Sequence, residues 1–184
     1  MSDNLELRMY GLVPYNISPI QQGIQFGHAV VEYGQKMQSY KHGTLSRVDH
    51  YKSLSQNYDC WADNWKTFII LNGGTTNNKI VNNSYVGSLN NHKETLDKIG
   101  VFNITFSEPD LGDQLTSVVF IVDERVFNKT LYPNFNFTLK NQIDFNNPNF
   151  CNQVERNEWE KWVESIGGQK NLQLRNFLSN FKLA

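Results

Sequence analysis

A chain of 184 residues that is 39% hydrophobic and 13% aromatic carries enough apolar material for a packed core, which excludes wholesale disorder. The formal net charge of -1 gives no global attraction to nucleic acid or an anionic membrane. No stretch approaches the roughly 18 apolar residues of a membrane span, so no membrane partner is expected.

The length fits one domain, or one domain with an appendage. Met1 to Glu6 is polar and acidic, unlike a signal peptide. Cys60 and Cys151 lie far apart and outside any C-x-x-C pair, so they read as reduced thiols of a cytoplasmic protein. Triplets such as Asn103-Ile104-Thr105 carry no glycosylation message without secretion.

In chain order, Leu7 to Val13 reads as a strand, broken by Pro14-Tyr15-Asn16. Ser18 then opens a helix that runs to Lys36. Ser18 is the N-cap, Pro19 takes the first helical position, and Gln21 completes an S-x-x-Q capping box. Ile20, Ile24, Gly27 and Val31 share one face at helical spacing, and that face is expected inward. Val48 to Trp61 is expected to be a second helix. Lys66 to Leu71 is a buried strand closed by Asn72-Gly73-Gly74, and Thr75 to Tyr85 a polar, Asn-rich loop. Ser88 to Lys98 is a helix stopped by Gly100, with Leu89, His92 and Leu96 near one stripe. Val101 to Phe106 and Leu115 to Val122 are strands joined by the acidic turn Ser107 to Gln114, and Asp123 to Phe127 begins a short helix or turn. Tyr132 to Asn149 is an irregular excursion. Two closing helices, Gln153 to Ile166 and Lys170 to Phe181, are split by Gly167-Gly168 and carry Trp159, Trp162 and Phe177 as docking surface.

This order predicts an α/β fold: a small mixed four-stranded sheet with helices on both faces, plus a C-terminal helical extension. Residues 1–130 would form the α/β domain, and 131–184 an irregular segment and helices packed on it. Sites in such sheets form where loops leave the carboxyl ends of strands.

Three places could carry chemistry. His28 lies on the first helix with Gln21, Gln25 and Glu32 near its side. An imidazole beside amides and a carboxylate can serve as general base or orienter, or it can simply hold a hydrogen bond in the core. The turn holding Glu108, Asp110 and Asp113 could bind a metal, polarise a histidine or form a socket for a cationic partner, or be merely solvated. Asn72, Gly73, Gly74 and Thr75 could cradle an anion with backbone N–H groups, or form a plain loop. Thr116, starting the last strand, could aim its hydroxyl at the same site. The chain has no G-x-S-x-G, H-E-x-x-H, G-x-G-x-x-G or P-loop motif. Four dispersed histidines and two distant cysteines argue against a zinc site, and no metal or cofactor is expected.

The stretch Ile20 to Tyr33 (IQQGIQFGHAVVEY) resembles the first helix of the type 2 peptidyl-tRNA hydrolases, which follows the form G-K-x-A-A-Q-x-x-H-A. Gln25, His28 and Ala29 match in register. The family's acidic loop and its threonine-bearing strand resemble Glu108 to Asp110 and Leu115-Thr116-Ser117-Val118. This likeness covers about residues 7 to 122 and implies that fold. It also implies hydrolysis of the ester between peptide and tRNA, with His28 and Asp110 catalytic and Gln21, Gln25 and Thr116 lining the pocket. The sequence departs from the family where its helix-start lysine falls on Gln21, which cannot replace that charge. Its loop threonine is also lost after Asp110-Leu111-Gly112. Over nearly its full length, in blocks such as SPIQQGIQFGHAVVEYG and EPDLGDQLTSVVFIVDERVF, the chain is similar to a group of tailed-bacteriophage proteins. That likeness implies work in the infected bacterial cytoplasm. A rival expectation is a non-catalytic protein that captures a host protein, RNA or a signalling nucleotide. A homo-oligomer held through Trp159, Trp162 and Phe177 is a third.

Overall fold

The computed structural model describes residues 5–76, 79–81, 84–136 and 153–184. Cys151 and most of the expected excursion up to Asn149 lie outside the described residues. The elements are β1 (Leu7–Val13), α1 (Pro19–His42), α2 (Asp49–Cys60), β2 (Thr67–Asn72), β3 (Lys79–Val81), β4 (Ser84–Val86), α3 (Ser88–Ile99), β5 (Asn103–Glu108), β6 (Gln114–Asp123), α4 (Glu124–Phe127), α5 (Gln153–Ser165) and α6 (Gln169–Leu178).

Four strands form one mixed sheet in the order β2-β1-β6-β5. β1 and β2 are parallel, with Arg8 opposite Thr67 and Val13 opposite Asn72. Parallel neighbours need a crossover, and α1 and α2 supply it. β6 runs antiparallel to both β1 and β5. Side chains alternate across β6: Val118, Phe120 and Val122 face one side and Val119 the other. The first side packs with Leu89 and Leu96 of α3 and Leu174 and Phe177 of α6. The second packs beneath Phe26, Ala29, Tyr33 and Met37 of α1 and Trp61. The fold is therefore α/β, with helices on both faces of the sheet and a C-terminal helical region.

α1 starts as the sequence predicts. The Ser18 hydroxyl accepts from the Gln21 N–H at 3.3 Å, and Gln21 Oε1 accepts from the Ser18 N–H at 3.1 Å. The helix extends past Lys36 to His42. Its inward face is not the one expected from the aliphatic spacing. Ile20, Ile24 and Val31 are 77%, 50% and 59% exposed, and the buried residues are Gln25, Phe26, Ala29, Tyr33, Met37 and Tyr40. Both sets obey helical periodicity. The second carries three aromatic rings and a methionine, which remove more apolar area from water than three aliphatic residues do. A glycine lets this face come close: a Cβ on Gly11 of β1 would sit 2.3 Å from the Phe26 ring.

Within the expected loop 75–85, β3 and β4 pair as an antiparallel hairpin. β5 runs on to Glu108, leaving Pro109–Leu111 as a single 3-10 turn. Gly112 and Asp113 complete that turn in left-handed conformation, at φ 68° and 58°. The outer edge of β2 is covered by the chain's last residues. Leu183 bridges Leu71, the Asn72 N–H donates to the Lys182 carbonyl at 2.9 Å, and the Ala184 N–H donates to the Ile70 carbonyl at 3.0 Å. Among the described residues, no helix is long and apolar enough to cross a membrane.

Candidate functional site

The β5–β6 pairing changes register in a way that builds a polar site under α1. It steps from Phe106 opposite Ser117 to Ser107 opposite Leu115. Thr116 is therefore the extra residue of a β-bulge, a device that re-aims a side chain out of the regular ladder. Its buried hydroxyl donates to Gln25 Oε1 at 2.6 Å and also lies 3.3 Å from the Phe106 carbonyl. The Gln25 amide nitrogen donates onward to Glu108 Oε2 at 2.5 Å. Three elements thus share one hydrogen-bonded chain, Thr116 to Gln25 to Glu108, which leads from the core to the surface.

His28 stands at the outer end of this chain. It is exposed, one turn along α1 from Gln25, and its ring stacks on Phe106 at 4.6 Å between centroids, tilted by 19°. The Glu108 carboxyl is held below its usual range. The Gln25 hydrogen bond is the main cause, with help from the Asp110 N–H and the charge of His28, while burial works the other way. Glu108 thus stays an anion beside the imidazole. A carboxylate near an exposed imidazole is an arrangement that general acid–base chemistry uses.

Asp110 is exposed, and its contribution is its backbone N–H, 3.4 Å from Glu108 Oε1. Gln21 is engaged in the α1 cap. Glu32 lies farther along α1, in a groove of about 410 Å³ lined also by Lys36, Ser39, Asn103 and Thr105. Asn72 ends β2, and Gly73, Gly74 and Thr75 follow it, at the opposite edge of the sheet from β5. There the Asn72 side chain accepts from the Gly74 N–H at 3.0 Å. A Cβ on Gly73 would lie 2.5 Å from Leu89, so that glycine serves close packing. Ser117, next to the bulge, is fully buried, and its hydroxyl has no hydrogen-bond partner among the described residues. The sequence reading did not single out Phe106 or Ser117. Among the described residues, no three His, Cys, Asp or Glu side chains are grouped to hold a metal ion.

Compared with protein-family models, curated proteins and solved structures, the chain finds no match.

Proposed function

We propose that this protein is a hydrolase of the peptidyl-tRNA hydrolase kind, cleaving the ester that joins a peptide to RNA. What supports this reading is the chain from Thr116 through Gln25 to Glu108, ending beside an exposed histidine. In this reaction His28 accepts a proton from water as the water oxygen bonds to the acyl carbon. Glu108 stabilises the imidazolium. The bond from the acyl carbon to the ribose oxygen then breaks, and His28 returns the proton to that oxygen. The products are a free peptide acid and an RNA with its hydroxyl restored. Gln25 fixes Glu108, and Thr116 fixes the Gln25 amide so that its nitrogen points at Glu108. We set this chemistry in an infected bacterial cell, and what supports that is the sequence likeness to tailed-bacteriophage proteins alone.

The test is release of labelled peptide from a peptidyl-tRNA analogue. His28→Ala and Glu108→Gln should each lose about 100-fold or more in rate, the usual scale of acid–base catalysis. Asp110→Ala should retain most of the rate, because only its backbone serves the site. A parent protein without turnover, or a His28→Ala variant as fast as the parent, overturns the proposal.

One observation favours a second reading, capture of a host protein without catalysis. Ile20, Ile24 and Val31 expose an aliphatic stripe on the helix that carries His28. Under that reading, a host protein recovered with the parent is lost with Ile24→Glu and kept with His28→Ala.

A further inference from the structure

A second site lies beyond the opposite face of the sheet from α1, where the outer side of α6 meets α5. It is a cavity of about 540 Å³ lined by Phe135, Trp159, Trp162, Gln169, Leu172 and Arg175, among others. The Trp162 indole is fixed by its N–H, which donates to the Pro133 carbonyl at 2.9 Å. Phe135 lies 5.7 Å from the Trp162 ring, and the Arg175 guanidinium 5.7 Å from its centroid.

Arg175 is the unusual member. It is only 5% exposed, yet its hydrogen-bond acceptors are neutral. Nε donates to the Arg125 carbonyl at 3.0 Å, Nη1 to Asn134 Oδ1 at 3.5 Å, and Nη2 to the Tyr132 carbonyl. A guanidinium has five N–H donors, so one on each terminal nitrogen is uncommitted among the described residues. Asp123 acts on Arg175 electrostatically, but its carboxylate is already bound by Arg125 at 3.1 and 2.9 Å and by Asn171. A second cation, Lys129, donates to the Val126 carbonyl at 3.0 Å. Burial and the charge of Arg175 push its amine down to about 8. Lys129 is exposed, so the costly charge is Arg175, which is buried among neutral acceptors where a buried charge is normally paired. The N–H left on each terminal nitrogen of Arg175 is a charged donor that an anion can take.

We propose that this cavity binds a small molecule in which a flat aromatic ring carries one anionic group, a carboxylate or a phosphate. The ring lies against Trp159, Trp162 and Phe135, and the anion takes the open N–H donors of Arg175. The volume falls within the roughly 300–1,000 Å³ of small-molecule sites. This site is independent of the His28 chemistry and stands whether or not that chemistry does.

Calorimetric titration of the whole chain tests it with two matched pairs. Adenosine 5′-monophosphate is set against adenosine, and indole-3-acetate against indole-3-acetamide. The expected result is that at least one acid binds at least tenfold more tightly than its neutral partner. Preference in the first pair assigns a phosphate ligand, and preference in the second a carboxylate. Arg175 also ties together the Arg125, Tyr132 and Asn134 segments, so its replacement endangers folding. The exposed Gln169→Trp change fills the cavity and leaves the guanidinium in place. It should abolish the acid's binding with the thermal midpoint unchanged. The proposal is overturned by equal binding of acid and neutral partner, by no saturable binding of either acid at millimolar concentration, or by unchanged affinity in Gln169→Trp.

Discussion

Two adjacent hydroxyls of the bulge make opposite demands. Thr116 donates to a buried amide oxygen, whereas Ser117 is buried with its hydroxyl unpartnered among the described residues. Thr116→Val keeps the shape and strands Gln25 Oε1, so it should cost about 1–3 kcal/mol. Ser117→Ala removes a polar group already without compensation and should be neutral or stabilising. Urea unfolding of the two variants decides this, and equal destabilisation would contradict the geometry. Thr116, Gln25 and His28 are visible in the sequence as polar residues on periodic elements, and Glu108 as one carboxylate of an acidic turn. Their joining is not, because it depends on a one-residue step in pairing, and no local signal in Leu115-Thr116-Ser117 announces a bulge. The choice between Glu108 and Asp110 as the residue beside His28 turns on that same step. Two carboxylates in a short turn look alike until the strand's end is known.

At the scale of elements, the position of α1 decides whether Gln25 reaches Glu108. The contact rests on Gly11, which leaves room for the Phe26 ring. Gly11→Ala should push Phe26 outward, lift α1, and cost about 1–3 kcal/mol, the usual penalty for overpacking. Thermal melting measures the loss, and a fully stable variant would show that α1 is not held through this contact. Element existence reads well from the sequence because caps and stops are local: Ser18 and Gln21 start α1, and Gly100 ends α3 in left-handed conformation. The buried face of α1 does not read from local pattern, since two stripes of one helix compete and the winner is set by the sheet beneath. The β3–β4 hairpin was hidden because its Asn-rich sequence shows no alternation of apolar and polar residues.

For the whole molecule, stability should depend on pH from both ends. Unfolded lysine titrates near about 10.4, and folded Lys129 near about 8. Between these values the unfolded chain holds the extra proton, so unfolding free energy should rise with pH. Above about 10, Tyr10, Tyr33 and Tyr40 reverse the trend, because burial raises all three and the unfolded chain ionises first. On the acid side, burial lowers His92, so stability falls as pH drops through about 6.5, where the unfolded histidine takes its proton. Glu108, held low, adds a further loss as pH falls below the unfolded carboxylate's value of about 4.3. Denaturant midpoints from about pH 2 to pH 11 test these signs, and Lys129→Met should flatten the rise that starts at about 8. The mixed sheet itself was legible as a whole, because the order of strands and helices restricts topology strongly. The role of the last three residues was not, since Lys182-Leu183-Ala184 is too short to show any period. Yet that tail gives the sheet a direction. It covers the outer edge of β2, while no described residue pairs with the outer edge of β5. An uncovered edge invites a strand from another molecule. With one edge closed, such association through this sheet stops at a pair of chains related by a twofold axis. Without the tail neither edge is paired by a described residue, and the same contact can repeat into an open-ended fibre.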